Sequence, residues 1–400
     1  MTNVRPSSLV TFIHLLVRRR RVLSLSPMDI APFALEQFFA RYEFTTPHIL
    51  CASDCESMSV AELLALAGES LSNLGQIQLS YTESQGSPAL RAAVAATYRQ
   101  VDPDKVVILN SPEEGIYLTM RTLLQPGDEL IVLTPAYDSL RNVAEHICGA
   151  EQVKPWAVRP SPTGWQLDLD ELAVLLTSRT KLLIVNFPHN PTGYLPDPDE
   201  FAAIVSLAQR HGCWLFCDEM YRGLELDGRP TLPSAVDLYE RAIVLAGLSK
   251  VHGLPGLRAG WVVIHDPEVR EAFINWKHYT SICPPAPSEF LALAGLQAQT
   301  ELINRNRTII QDNLGLAEAF FARWPELFTW RRPLAGSVAL VGIATESATA
   351  YCHQLAAAAG ILLLPGAYLG YADQFVRVGL GRRSFATNLS HYEAYLRRQR

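Results

Sequence analysis

The segment VLAGLSKVHGLPGLRAGW, residues 244–261, holds a single lysine, Lys250, at the end of an apolar run and among Gly247, Gly253, Pro255 and Gly256. A lysine at the end of a buried strand is desolvated. That lowers its pKa and leaves the amine free to condense with a carbonyl as a Schiff base. Eight residues later Arg258 offers a planar fork of donors suited to a phosphate. The glycines between them let the backbone come close to a ligand. The chemistry implied is capture of a phosphorylated aldehyde, although the segment alone also reads as a loop with a surface lysine.

Two further segments narrow this. Asp218 closes the apolar run CWLFCD, and a buried carboxylate needs a cationic partner. A pyridine nitrogen is such a partner, and holding it protonated makes the ring an electron sink. Tyr221, three residues on, is placed to hydrogen-bond a phenolic oxygen on that ring, and Asn190 in NFPHNPTGYLP can reach the same oxygen. Lysine for the aldehyde and arginine for the phosphate are what pyridoxal 5'-phosphate requires. Each part has a plainer reading as well: Asp218 as a helix N-cap, Asn-Pro-Thr-Gly as a tight turn.

The elements that position these residues follow from periodicity. KVVILN, LIVLTPAY, TKLLIVNFP, CWLFCDEMY, AIVLAGLSK and RAGWVVI read as strands. SPALRAAVAATYRQ, EEGIYLTMRTLL, SLRNVAEHICGA and PDEFAAIVSLAQRHG read as helices between them. Continuous Val/Ile/Leu runs separated by helices imply a largely parallel sheet covered on both faces. Ligands of such sheets bind at the carboxyl ends of the strands. Ser111, Tyr137, Asn186, Asp218 and Lys250 all stand there. After residue 285 a long helical stretch, SEFLALAGLQAQTELINRNRTIIQDNLGLAEAFFARW, is followed by the strands SVALVGI and FVRVGL with a helix, SATAYCHQLAAAAG, between them.

The domain expectation is therefore an N-terminal extension over 1–27, a segment over 28–75 joining a small α+β domain, a large domain over 76–285, and the small C-terminal domain over 286–400. In the extension, LVTFIHLLVRRRR places its basic residues after the apolar run, the reverse of a secretory signal, and Met28 is the natural start. A length of 400 residues fits two domains. The composition is 48% hydrophobic and 18% charged with a net charge of −6, which gives no basic face for nucleic acid. No run approaches a membrane span. Seven scattered cysteines favour the cytoplasm. Their spacing, Cys51 with Cys55 and Cys213 with Cys217 near His211, does not make a metal site.

HNPTG, DEMY and SKVHGLPGLRAGW occur in an order and spacing that resembles the fold type I pyridoxal-phosphate enzymes, aminotransferase class I/II, over about residues 32–395. The resemblance implies the α/β aminotransferase-like fold: a large domain with a mostly parallel seven-stranded sheet between helices, and the smaller α+β domain. It implies that Lys250 bonds the cofactor aldehyde and that Asp218 meets the ring nitrogen. Tyr221 and Asn190 meet the phenolic oxygen, Tyr137 stacks on the ring face, and Arg258 holds the phosphate. Tyr81 resembles the tyrosine that reaches the phosphate of the neighbouring subunit, which implies a homodimer with shared sites. Arg377, in FVRVGLG, matches the clamp on the substrate α-carboxylate.

Two positions depart from the pattern. Gly247 stands where a hydroxyl residue usually helps hold the phosphate, and NSPEEG replaces the usual Asn-Gly-Ala loop. Of Ser111, Pro112 and Glu113, the proline has no amide proton to give, and the glutamate repels a dianion unless turned away. Ser249 and Arg258 are therefore expected to carry more of the phosphate. The expected activity is amino transfer on an L-α-amino acid. The alternative is a lyase or cyclase, because YTESQG, SPEEGIY and CPPAPSEFLA resemble the branch that includes capreomycidine synthase, which cyclises a hydroxylated arginine. A guanidinium would need acidic neighbours, for which Glu36, Asp54 and Glu56 are the candidates. A transcription regulator built on the same fold would need an N-terminal DNA-binding domain, and the leading segment is too short for one.

Overall fold

The computed structural model describes residues 30–399, so the expectation for residues 1–27 lies outside the described residues. Seven strands, labelled in chain order, form the large sheet: β1 (Val106–Leu109), β2 (Glu129–Thr134), β3 (Val153–Ala157), β4 (Thr180–Asn186), β5 (Trp214–Asp218), β6 (Ala242–Gly247) and β7 (Gly260–Ile264). Their order across the sheet is β1-β7-β6-β5-β4-β2-β3. Strand β7 is antiparallel to both β1 and β6, and the other neighbours are parallel.

The apolar runs are continuous because both faces of the sheet are covered. Successive side chains point to opposite faces. Val106, Ile108, Leu183 and Val185 join one core, while Val107, Leu109, Leu182 and Ile184 join the other. Helices Pro112–Leu123, Asp138–Cys148 and Pro267–His278 cover the second face; Pro88–Ala95, Pro198–His211 and Ala286–Gln297 cover the first.

The seventh strand was the one the periodicity did not reveal. Strand β3 lies at the sheet edge beside β2 and contains Pro155, and most of it is only partly buried. An edge strand tolerates proline and needs no long apolar run. The long helical stretch after residue 285 is two helices, Ala286–Gln297 and Gln299–Ala322, which meet at Ala298.

A separate core is built around a four-stranded antiparallel sheet of Phe328–Thr329, Val338–Ile343, Phe375–Gly379 and Leu364–Pro365. Leu35, Phe38, Leu50, Cys51 and Cys55 from the N-terminal segment pack into this core, and His48–Ile49 pairs with Ile361–Leu362. Leu63 and Leu64, further along the same segment, pack into the large-sheet core instead. Among the described residues no helix is long and apolar enough to cross a membrane.

The N-terminal segment crosses the end of strand Phe375–Gly379 at very short range. The Gly379 amide donates to Leu50 O at 2.8 Å, and a Cβ on Gly379 would lie 1.8 Å from Ala52 O. Gly379→Ala must therefore displace backbone. The expected cost is on the order of 3 kcal/mol, seen as a clear fall in the thermal denaturation midpoint. An unchanged midpoint would refute this account of the contact.

Candidate active site

One edge of the large sheet gathers the chemistry. The carboxyl ends of β1, β2, β4, β5 and β6 lead to Ser111, Tyr137, Asn186, Asp218 and Lys250. Because β7 runs the other way, its beginning lies at the same edge and brings Arg258 there, held at φ +50°. Arg377 comes from the small-domain strand, and Glu36, Ser53 and Asp54 come from the N-terminal segment. Of these, Tyr137, Asp218, Lys250, Arg258, Arg377, Glu36, Ser53 and Asp54 line a cavity of about 350 Å³, with Tyr221 and Asn190 also in its wall, whereas Ser111 and Asn186 stand outside it.

Lys250 Nζ donates to Ser53 Oγ at 2.7 Å, and burial holds its pKa below the ordinary lysine value. Asp218 is buried. Its Oδ1 accepts from the Met220 amide at 3.0 Å, and burial raises its carboxyl to about 6. The Asn186 side chain fixes this strand end by donating from Nδ2 to Asp218 O at 2.9 Å and accepting the Asn190 amide at 2.8 Å. Asn190 Oδ1 accepts from Arg377 Nη1 at 3.2 Å, which leaves the Asn190 Nδ2 as its donor into the cavity. The Tyr221 hydroxyl is buried. Burial raises its pKa, and no residue among those described accepts from it or donates to it in hydrogen-bonding geometry.

Arg377 is 1% exposed, and its Nη2 and Nε donate to Cys51 O at 2.9 and 3.3 Å. It forms no salt bridge among the described residues. A buried guanidinium without a carboxylate leaves its charge for a ligand to neutralise.

Three carboxylates line the part of the wall contributed by the N-terminal segment. Glu36 accepts from the Tyr137 hydroxyl at 2.7 Å. Asp54 is held by Arg382, whose Nη2 lies 2.8 and 3.0 Å from its two oxygens. Glu43, at the end of helix Ala34–Tyr42, also lines the cavity, and burial raises its pKa. Sequence reasoning missed Glu43, because its role depends on where that helix docks. It missed Ser53 for a similar reason, since a lone serine in CASDC carries no spacing signal.

Other expected residues are placed differently. Glu56 is not part of the cavity wall; its side chain accepts the Arg383 amide at 2.9 Å. Tyr81 is 88% exposed and does not line this cavity. Ser111 caps helix Pro112–Leu123, its Oγ accepting the Glu114 amide at 3.3 Å, and keeps its own proton to donate. Glu113 turns toward Ser139, whose hydroxyl donates to it at 3.2 Å, and burial raises it to about 7. Ser249 lines the cavity beside Lys250. Among the described residues no group of three or more His, Cys, Asp and Glu side chains could hold a metal, and all seven cysteines are free.

Residues 49–388 match the family model for aminotransferase class I and II. The chain belongs to that family. It is 31% identical to capreomycidine synthase of Streptomyces vinaceus over 360 residues, which cover 89% of this chain and 91% of that protein. It is 36% identical to the arginine–pyruvate transaminase AruH of Pseudomonas aeruginosa over 189 residues, 46% of this chain and 47% of that one. Among solved structures, the pyridoxal-phosphate-dependent cyclase OrfR superposes with a TM-score of 0.85 at 28% identity, covering 94% of this chain and all of that one. An aminotransferase from Streptococcus suis, also pyridoxal-phosphate-dependent, superposes with a TM-score of 0.86 at 28% identity, covering 92% of this chain and 98% of that one.

The residues of this family member fit pyridoxal 5'-phosphate. The unpartnered Tyr221 hydroxyl, the Asp218 carboxylate without a cation hydrogen-bonded to it, and Lys250 with a lowered pKa match its phenolic oxygen, ring nitrogen and aldehyde. The chain is a pyridoxal-phosphate-dependent enzyme of this family. Lys250, Arg258, Ser249 and Pro112 at the start of helix Pro112–Leu123 all line the cavity.

The raised Asp218 value has a measurable consequence. Its carboxyl moves from 3.8 to about 6 on folding without a ligand. A raised pKa gives stability that is complete below the unfolded value and is lost as pH climbs through the folded one. At pH 7 the ionised group costs the cofactor-free protein roughly 3 kcal/mol. Cofactor-free Asp218→Asn is therefore expected to melt above wild type at pH 7.5 and level with it near pH 4, while its affinity for pyridoxal phosphate falls. No gain at pH 7.5 would contradict the assignment.

Proposed function

We propose that this enzyme acts on an L-α-amino acid with a guanidinium-type side chain, as an aminotransferase. The observation that carries the substrate is the mixed charge of one cavity wall: buried Arg377, without a salt bridge among the described residues, together with the carboxylates Glu36, Glu43 and Asp54 around Lys250. Arg377 binds the α-carboxylate as a two-pronged donor. Glu36 and Glu43 receive the distal cation, since Asp54 already holds Arg382. A dicarboxylic substrate has no such partner: the arginines on the cavity wall are Arg258, at the phosphate, and Arg377.

When bound, pyridoxal phosphate supplies an electron sink that acidifies the Cα–H bond. Asp218 would hold the proton on its ring nitrogen, Tyr221 and Asn190 Nδ2 would hydrogen-bond its phenolic oxygen, and Tyr137 would pack on its ring. Lys250, desolvated and beside Ser53, takes the Cα proton and returns it. Return of a proton on the cofactor side would give amino transfer, whereas departure of a protonated β-substituent from the deprotonated substrate would leave a double bond to which the guanidinium could add with ring closure. The second outcome has its own support, because similarity to capreomycidine synthase and to cyclase OrfR spans nearly the whole chain, whereas similarity to AruH spans about half.

The enzyme works as a homodimer in which Tyr81 reaches the partner's phosphate. In support, Leu79, Tyr81, Tyr279 and Ile282 are large side chains 86, 88, 80 and 51% exposed. They lie on two loops joined by Thr82 Oγ1 donating to Pro284 O at 2.6 Å. Dispersed charge and unpaired thiols accord with the cytoplasm.

The test mixes the purified enzyme with L-arginine, 3-hydroxyarginine or L-aspartate and identifies products by mass spectrometry. A 2-oxo acid from arginine supports amino transfer. Dehydrated or cyclic product from hydroxyarginine, with no amine retained on the cofactor, selects the second reading. Preference for aspartate refutes the substrate class. Glu43→Gln is expected to raise KM for the cationic substrate about tenfold, equivalent to 1.4 kcal/mol. Lys250→Ala is expected to abolish turnover and the visible absorbance of the covalently held cofactor; survival of either would rule out Lys250 as its attachment point.

A further inference from the structure

The two departures at the phosphate end of the cavity turn out to be in contact. Gly247 ends β6, Gly260 opens β7, and the two are paired in register. Leu109 of β1 pairs with Gly260 on its other side. Pro112 begins the helix that follows β1. A Cβ built on Gly247 would lie 2.9 Å from Pro112 Cγ, 3.0 Å from Ala259 O and 3.1 Å from Gly260 Cα, and one built on Gly260 would lie 2.9 and 3.0 Å from Pro112 Cγ and Cδ and 3.1 Å from Ala246 O. Real Cβ atoms do not approach as closely as 2.9 Å. The pyrrolidine ring therefore occupies the space that a side chain at either position would fill, and two glycines make the floor on which it rests.

A hydroxyl side chain at 247 would press most closely on the proline ring at 112, and next on the facing backbone of Ala259 and Gly260. Proline is well suited to the first helical position, where its missing N–H is not needed by the helix and its fixed φ is already helical. Wedged against the β6–β7 floor, it fixes the start of helix Pro112–Leu123 relative to the Ser249–Lys250 turn.

We infer that Pro112 is a positioning residue for the cofactor phosphate. It replaces, by packing on Gly247 and Gly260, the anchoring that a side chain at 247 would give. It sets the distance between the helix N-terminus, with its Ser111 cap, and Ser249 and Arg258. The inference rests on the reading that this cavity takes pyridoxal phosphate.

The experiment is a double-mutant cycle read by equilibrium binding to cofactor-free protein, with pyridoxal phosphate and with unphosphorylated pyridoxal. In the wild-type background Gly247→Ser is expected to raise the Kd for pyridoxal phosphate at least tenfold and that for pyridoxal less than threefold. In a Pro112→Gly background the same serine is expected to raise the Kd for pyridoxal phosphate less than threefold, or to lower it. Equal effects of the serine in both backgrounds would overturn the inference. So would parallel changes for both ligands, which mark a general loss of structure. If the serine variant does not fold, Gly247→Ala is used in both backgrounds under the same criteria. Failure of the wild-type protein to bind pyridoxal phosphate at all would overturn the functional reading itself.

Discussion

Arg377 is the constraint on which the site turns. Its guanidinium is 1% exposed, a position that charged groups occupy only when paired or hydrogen-bonded. It is satisfied from two separate parts of the chain: Cys51 O from the N-terminal segment and Asn190 Oδ1 from the loop after β4. Both partners are neutral acceptors, so the charge itself stays unmatched. Hydrogen bonds fix where the guanidinium points, and the unmatched charge fixes what it will bind. Three pieces of chain must fold together before the small-domain strand, the N-terminal segment and the large sheet can share it.

The same economy applies across the cavity. Buried Asp218 and half-buried Glu113 have carboxyls raised to about 6 and 7, and the lysine amine is lowered. All are shifted toward neutrality by desolvation, the largest influence on each. A cationic ligand group beside Asp218 would reverse that shift and restore the carboxylate. Glu113, which also lines the cavity, accepts a hydrogen bond from Ser139. The cavity is thus strained electrostatically in the direction that a zwitterionic substrate and a charged cofactor relieve. This is a common property of sites that are built to bind charge.

Much of this was legible in the sequence because parallel sheets place function at strand ends. Asn186, Asp218 and Lys250 stand where an apolar run stops, and the structure sets all three at one sheet edge. Arg258 was legible through its loop, although only the reversed direction of β7 explains why that loop returns to the same edge. What was not legible depended on docking. Glu43 and Ser53 matter because residues 34–55 pack on the small-domain core, and nothing in their local spacing announces that. Asp54 lines the cavity, but its pairing with Arg382, 328 residues away, is a tertiary fact that removes it from the free carboxylates. Strand β3 was missed because an edge strand with a proline lacks the periodic signature.

The division of the cores shows what the site needs mechanically. Met220, Tyr221 and Val251 follow large-sheet strands or the lysine itself, yet they pack in the small-domain core with Leu50, Cys55 and Val376. Lys250 sits between them, bonded to Ser53 of the N-terminal segment. The large sheet therefore sets the chain positions of the catalytic groups, while the small domain and the N-terminal segment set their desolvation. Moving the second assembly away would rehydrate Lys250 and Arg377 together. Hydration would raise the lysine pKa toward its ordinary value and screen the guanidinium. Lys250 and Arg377 thus owe their desolvation to the same packing, which links the state of the amine to that of the guanidinium.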